Sequence, residues 1–191
     1  MKLKTNNLFL INTNILIVFG FFYLYMQNPK LSYLFNLFLF LGILLFFTII
    51  YSRKIYLEKF LVIGISSFEI FHLLGSLVII EGIRLYDFWL INGLFKYDNI
   101  VHFWAGLILV FFVHRLVAKK FKLHIHYSLN FYLIIILISC GVGAIFEIVE
   151  FLGVIFFNLS REVGNYNNNM IDLLFNLFGA TVASIIHYFN K

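Results

Sequence analysis

Asp98 with His102, Glu147 with Glu150, and Asp172 with Asn176 are polar pairs inside otherwise apolar stretches of a 191-residue chain. Members of each pair lie three or four positions apart, so on a helix both project from one face. If these stretches cross a bilayer, the pairs gather carboxylates and one imidazole between helices. Ionisable groups at membrane depth mark a functional site by default. One chemistry open to them is metal binding. His102, Glu147, Glu150 and Asp172 are an oxygen-rich ligand set with one imidazole, which suits a hard or borderline divalent ion such as Mg²⁺, Mn²⁺, Zn²⁺ or Fe²⁺. Such an ion would activate water or polarise a phosphoryl oxygen. The other is proton transfer, with Asp98, His102, Glu147, Glu150 and Asp172 supplying a catalytic acid and base. No serine or cysteine sits near a second base, which argues against an acyl-enzyme route.

The elements that must position these residues follow from composition. Hydrophobic residues make up 62% of the chain and charged residues 12%, with a mean hydropathy of +0.96, far from the values of a soluble domain. The fold class expected is all-α, a polytopic membrane bundle occupying residues 1–191 as a single integral membrane domain. Apolar runs at Leu8–Met26, Leu31–Tyr51, Phe60–Ile80, Ile100–Ala118, Leu129–Phe157 and Met170–Phe189 give six spans. The first run lacks a small-residue cleavage site at Tyr25-Met26-Gln27-Asn28-Pro29 and reads as an anchor, not a signal peptide. Pro29 marks a tight turn into the second span. Leu85 to Ile91 is apolar and aromatic but too short to span, so it is expected at the interface or folded back between helices. Asn165 to Asn169 reads as a polar turn. Cys140 is the single cysteine, which excludes an intramolecular disulfide.

Basic residues set the orientation. Of the 14 lysines and arginines, ten (Lys2, Lys4, Arg53, Lys54, Lys59, Arg115, Lys119, Lys120, Lys122 and Lys191) fall on one side of the six-span topology and four on the other. A multi-pass protein of the cell membrane with both termini cytoplasmic follows. The net charge of +5 fits basic loops facing an anionic leaflet and gives no reason to invoke nucleic acid. Span four then starts outside with Asp98 and His102, span five ends outside with Glu147 and Glu150, and span six starts outside with Asp172 and Asn176. All three pairs meet in the outer half of the bilayer. Arg115 to Lys122, with His124 and His126, reads as a cytoplasmic snorkelling anchor.

The competing reading is packing glue, in which polar groups hydrogen-bond across helices for about 0.6 kcal/mol each. It suits Asn176. It suits gathered carboxylates poorly, because like charges in low dielectric repel unless a proton or cation is shared. Small residues at Ala105, Gly106, Gly141, Gly143, Ala144, Gly179 and Ala183 allow close helix approach. A fourth pair, Glu69 and His72, lies near the middle of span three, where it reads either as part of a proton or ion path or as a neutral hydrogen-bonded pair. Gly75 would admit a neighbouring helix, and Arg84 with Asp87 reads as a surface salt bridge.

Tyr97-Asp98-Asn99-Ile100-Val101-His102-Phe103, Phe146-Glu147-Ile148-Val149-Glu150 and Asp172-Leu173-Leu174-Phe175-Asn176-Leu177-Phe178-Gly179 resemble the YjdF-like family of inner-membrane proteins. They are similar, more distantly, to the VanZ-like family, with its later glutamate and terminal D-x-x-x-N-x-x-G. The resemblance covers about residues 70–185, a core that includes Arg84-Leu85-Tyr86-Asp87. It implies an integral membrane protein. The VanZ-like likeness implies low-level resistance to a lipoglycopeptide antibiotic, from which Glu150 departs, since that family often carries an amide there. Two functions stand. The first is an enzyme acting on a lipid or lipid-linked envelope component. The second is a non-catalytic membrane protein: a small transporter, a proton-coupled carrier or a lipid-binding modulator. Membrane lipids are the expected partners, and transport by a six-helix unit without a visible repeat would require a homo-oligomer.

Overall fold

The computed structural model describes residues 2–121, 128–160 and 166–190. Six long helices carry the chain: α1 (Lys2–Gln27), α2 (Leu31–Ser52), α3 (Lys59–Leu77), α4 (Tyr97–Phe121), α5 (Leu129–Phe157) and α6 (Tyr166–Phe189). All six are long and apolar enough to cross a membrane, which makes the protein a polytopic helical bundle. Large apolar side chains face outward along the helices; Leu16, Leu137 and Phe156 are each about 70% exposed. Backbone hydrogen bonding closed within each helix is what lets such a surface sit in hydrocarbon.

Between α3 and α4 the chain forms two small hairpins. Strands β1 (Ile79–Ile80) and β2 (Ile83–Arg84) pair antiparallel through Glu81 and Gly82, whose φ angles of 51° and 81° are those a two-residue hairpin turn requires. A single 3₁₀ turn, Leu85–Asp87, follows, fixed by Arg84 donating through Nη2 to Asp87 Oδ2 at 2.8 Å. Strands β3 (Trp89–Ile91) and β4 (Phe95–Lys96) make the second hairpin, with Trp89 opposite Lys96. The structure refines the expected elements here and at the sixth helix. The third helix stops at Leu77 instead of Ile80, because Ile79 and Ile80 are strand. The segment Leu85 to Ile91 is a 3₁₀ turn leading into β3. The sixth helix begins at Tyr166 instead of Met170, so Tyr166 to Asn169, expected in a polar turn, is its first helical turn, and Asn165 lies outside the described residues.

The chain divides into two compact units, residues 1–62 with 148–164 and residues 63–147 with 165–191. In the first, α1 and α2 pack as a hairpin around Phe21 and Phe40, whose rings stack at 5.7 Å. Asn7, fully buried, donates to the Ile55 carbonyl at 2.9 Å and accepts from the Leu57 N–H at 2.8 Å, which ties α1 to the segment after α2. In the second, α4 and α6 run parallel in direct backbone contact. A methyl at Gly106 would collide with the Asn176 carbonyl oxygen, and one at Gly179 with the Phe103 carbonyl oxygen. Glycine at both positions is what permits this approach. Val110, Val113, Ile135, Ala180 and Ala183 form the core of this unit.

Candidate functional site

The site begins at the entry to α4. The Lys96 N–H, just ahead of the helix, donates to Asn99 Oδ1 at 2.8 Å, so the third helical residue reaches back to satisfy the residue before the helix, as in half of a capping box. This bond orients the Asn99 amide so that its Nδ2 donates to Asp172 Oδ1 on α6 at 2.8 Å. One turn into α4, His102 projects from the same face as Asp98. On α6 the four-residue spacing of Asn168, Asp172 and Asn176 places three polar side chains on the face turned to α4. Because the two helices are parallel, the partners step together along them: Asp98 with Asn168, Asn99 with Asp172, His102 with Asn176.

Asn168 bridges the two aspartates, donating from Nδ2 to Asp172 Oδ2 at 2.6 Å and to Asp98 Oδ2 at 3.3 Å. Both oxygens of Asp172, which is 1% exposed, thus accept from neutral amides. The amides satisfy hydrogen bonding and bring no positive charge to the carboxyl group. His102 lies between two further carboxylates, with Nε2 3.4 Å from Asp98 Oδ1 and Nδ1 3.5 Å from Glu147 Oε1 on α5. Glu147 is 7% exposed, and neither of its oxygens has a hydrogen-bond partner among the described residues. Asn176 Nδ2 approaches His102 Nδ1 at 3.3 Å, and Gly143 on α5 leaves the room its amide occupies. The Asn176 Oδ1 is also buried without a partner among the described residues, so a half-turn of the amide would offer His102 Nδ1–H an acceptor.

A neutral imidazole carries one N–H. With a carboxylate at each ring nitrogen, one side of His102 presents a lone pair to an anionic oxygen unless a proton or a metal ion lies between them. Asp98, His102 and Asp172 each offer one ligand atom, and these atoms lie within 4.8 Å of one another. Donors on opposite sides of a six-coordinate Mg²⁺ are about 4 Å apart, and around Ca²⁺ about 5 Å, so the separation suits a single divalent ion. Glu147 meets the ring on Nδ1, while Asp98 meets it on Nε2. It is placed to orient the imidazole rather than to join the aspartates.

The structure therefore brings together Asp98, His102, Glu147, Asp172 and Asn176. Glu150, three residues beyond Glu147, belongs to the first compact unit. Glu69 is buried in α3, and His72 is hydrogen-bonded through Nδ1 to the Tyr86 hydroxyl of the 3₁₀ turn. The Tyr86 ring also fills the space beside Gly75, so this glycine admits an aromatic side chain and not the expected neighbouring helix. Arg84 and Asp87 form the ion pair of the 3₁₀ turn. Lys122, His124 and His126 lie outside the described residues. Asn99, Asn168 and Lys96 join the site although sequence reasoning does not select them. The signal for Asn168 is its place four residues ahead of Asp172, and for Asn99 its place beside Asp98.

Fold and site together define a polytopic membrane protein with a carboxylate–histidine cluster between its helices. A family model described as "Predicted membrane protein (DUF2238)" matches residues 8–191, and the chain belongs to that family. The match is consistent with the YjdF-like resemblance and takes in α1 and α2, which the motifs do not reach; it carries no VanZ-like assignment. Comparison with curated proteins and with solved structures gives no match.

Proposed function

We propose that this protein is a metal-dependent membrane enzyme acting on a lipid or lipid-linked envelope component, with its site in the outer half of the cell membrane and both termini cytoplasmic. The observation that carries the reading is the convergence of Asp98, His102 and Asp172 on one point, with Glu147 buried and unsatisfied behind the imidazole. His102 would bind a divalent ion through Nε2 while donating Nδ1–H to Glu147, the carboxylate–histidine–metal arrangement that fixes the tautomer and raises ligand basicity. Asn99 and Asn168 hold the two aspartates in place for the same ion. The ion would supply Lewis acidity and an activated water. The ten-to-four bias of basic residues supports the orientation.

The test compares lipid extracts from cells lacking the protein with extracts from cells making Asp172→Asn or His102→Ala at wild-type levels. The expected result is that both variants reproduce the lipid profile of the deletion. A wild-type profile in either would contradict a catalytic role for the cluster. Should the protein hold no metal, the chain Asp98–His102–Glu147 is a path for a proton, and a proton-coupled carrier becomes the better reading.

A further inference from the structure

Lys96 bears on what this site would receive. Its strand position opposite Trp89 sets the ammonium 5.5 Å from the centre of the Trp89 ring, and Nζ donates to Asn168 Oδ1 at 3.4 Å. Its backbone N–H is held by Asn99. The side chain is thus fixed at both ends, beside the amide that bridges Asp98 and Asp172. Three carboxylates gather in this site, yet among the described residues the ammonium forms an ion pair with none of them. An ammonium has three N–H donors, and Asn168 takes one. A lysine present only to neutralise an aspartate would touch it. Here the aspartates are held by neutral amides, which leaves their charge for a cation, and the lysine is held by an aromatic face and an amide oxygen, which leaves its charge for an anion.

An anion that accepts from an ammonium and ligates a divalent ion at once, beside an acidic cluster, needs several oxygens on one centre. A phosphoryl group provides this geometry, and divalent ions with lysine are its usual binding partners. The hairpin that carries Lys96 points to a membrane-level source. Leu90, Ile91 and Leu94 in and around its turn are 45%, 51% and 67% exposed, and with Trp89 they form an apolar tip suited to the membrane interface, where phosphate head groups lie.

We propose that Lys96 and the ion held by Asp98, His102 and Asp172 together bind a phosphomonoester group, so that the substrate is a lipid carrying a terminal phosphate. The inference rests on the metal reading above. Without the ion the three carboxylates would repel a phosphate, so phosphate binding depends on the metal.

The full chain in phosphatidylcholine nanodiscs, titrated with Mn²⁺ and followed by electron paramagnetic resonance, tests this with phosphatidic acid added to the disc or inorganic phosphate added to the buffer, empty discs serving as background. Phosphatidic acid should tighten Mn²⁺ binding about tenfold in the wild type, a typical coupling between two ligands. In Lys96→Met, whatever its affinity for Mn²⁺ alone, phosphatidic acid should no longer tighten Mn²⁺ binding, and Lys96→Arg should keep most of the tightening. Tightening by phosphatidic acid alone assigns a lipid-borne phosphate, whereas equal tightening by inorganic phosphate overturns the lipid assignment in favour of a free phosphate. Equal tightening in wild type and Lys96→Met, or none in the wild type, overturns the role of Lys96. Failure of Mn²⁺ to bind at all removes the metal reading and this inference with it, a result distinct from binding without coupling.

Discussion

The two ends of the parallel pair α4 and α6 both carry buried polar groups, and they satisfy them differently. At the end where these helices begin, Asp98, His102, Glu147 and Asp172 crowd together, and the donors that reach the aspartates are amides and one imidazole. At the other end His187 is hydrogen-bonded through Nδ1 to the Tyr132 hydroxyl at 2.7 Å, and its ring lies 4.4 Å from that of His114, with Phe111 against it. The apolar core of Val110, Val113, Ile135, Ala180 and Ala183 lies between. The Tyr132 hydroxyl and the His187 imidazole can satisfy each other without either carrying a charge, so this pair calls for no counter-ion. At the first, amides satisfy the hydrogen bonds of carboxyl groups without bringing a positive charge to them. Burial of polar groups alone does not separate site from glue; on the proposed reading, carboxyl groups gathered without a lysine or arginine partner do.

Four substitutions would break or sharpen this contrast. The largest effect is expected from Gly179→Leu, since a side chain there meets the Phe103 backbone and must part α4 from α6. Overpacking of this kind costs about 1–3 kcal/mol or more. Both ends should be lost together, seen as a sharp fall in the yield of folded protein in detergent; normal yield would contradict the backbone contact. Next is His102→Ala, which removes the imidazole and should lower divalent-ion affinity by at least about 100-fold while leaving yield near wild type. Calorimetric titration checks it, and retained affinity would shift the site away from His102.

Asn168→Leu should act through the aspartates it holds, with ion affinity falling about 10- to 100-fold, the usual cost of losing an outer-shell partner. Unchanged affinity in the same titration would reduce Asn168 to a packing residue. The smallest effect is expected from Tyr132→Phe, which removes one hydrogen bond at the neutral end. It should lower stability by about 0.6 kcal/mol and at most roughly 1.7, with no change in ion binding. Loss of ion binding there would couple the two ends and defeat the comparison.

Much of this arrangement is legible in the sequence. Long apolar runs announce six helices, and the gathering of Asp98, His102, Glu147 and Asp172 follows from where each lies in its run: early in the fourth, late in the fifth and early in the sixth. What escapes has physical reasons. Tyr166 to Asn169 is helical although its consecutive asparagines resemble a turn, and only the partner helix reveals that Asn168 spends its amide on two aspartates. The hairpins stay hidden because Ile79 and Ile80 continue the apolar run of α3, while the turn at Glu81-Gly82 is only two residues long. Gly75 can be read as a small residue, but not as the seat of the Tyr86 ring.

The central claim is that one divalent ion is held by His102 with Asp98 and Asp172. Pulsed electron paramagnetic resonance of the purified protein loaded with Mn²⁺ tests it most directly, because a bound imidazole nitrogen couples to the electron spin. The account predicts one tightly bound Mn²⁺ per chain with a single imidazole nitrogen coupling, lost in His102→Ala, and binding lost in Asp172→Asn. Tightly bound Mn²⁺ without nitrogen coupling, or no tightly bound Mn²⁺, would contradict it.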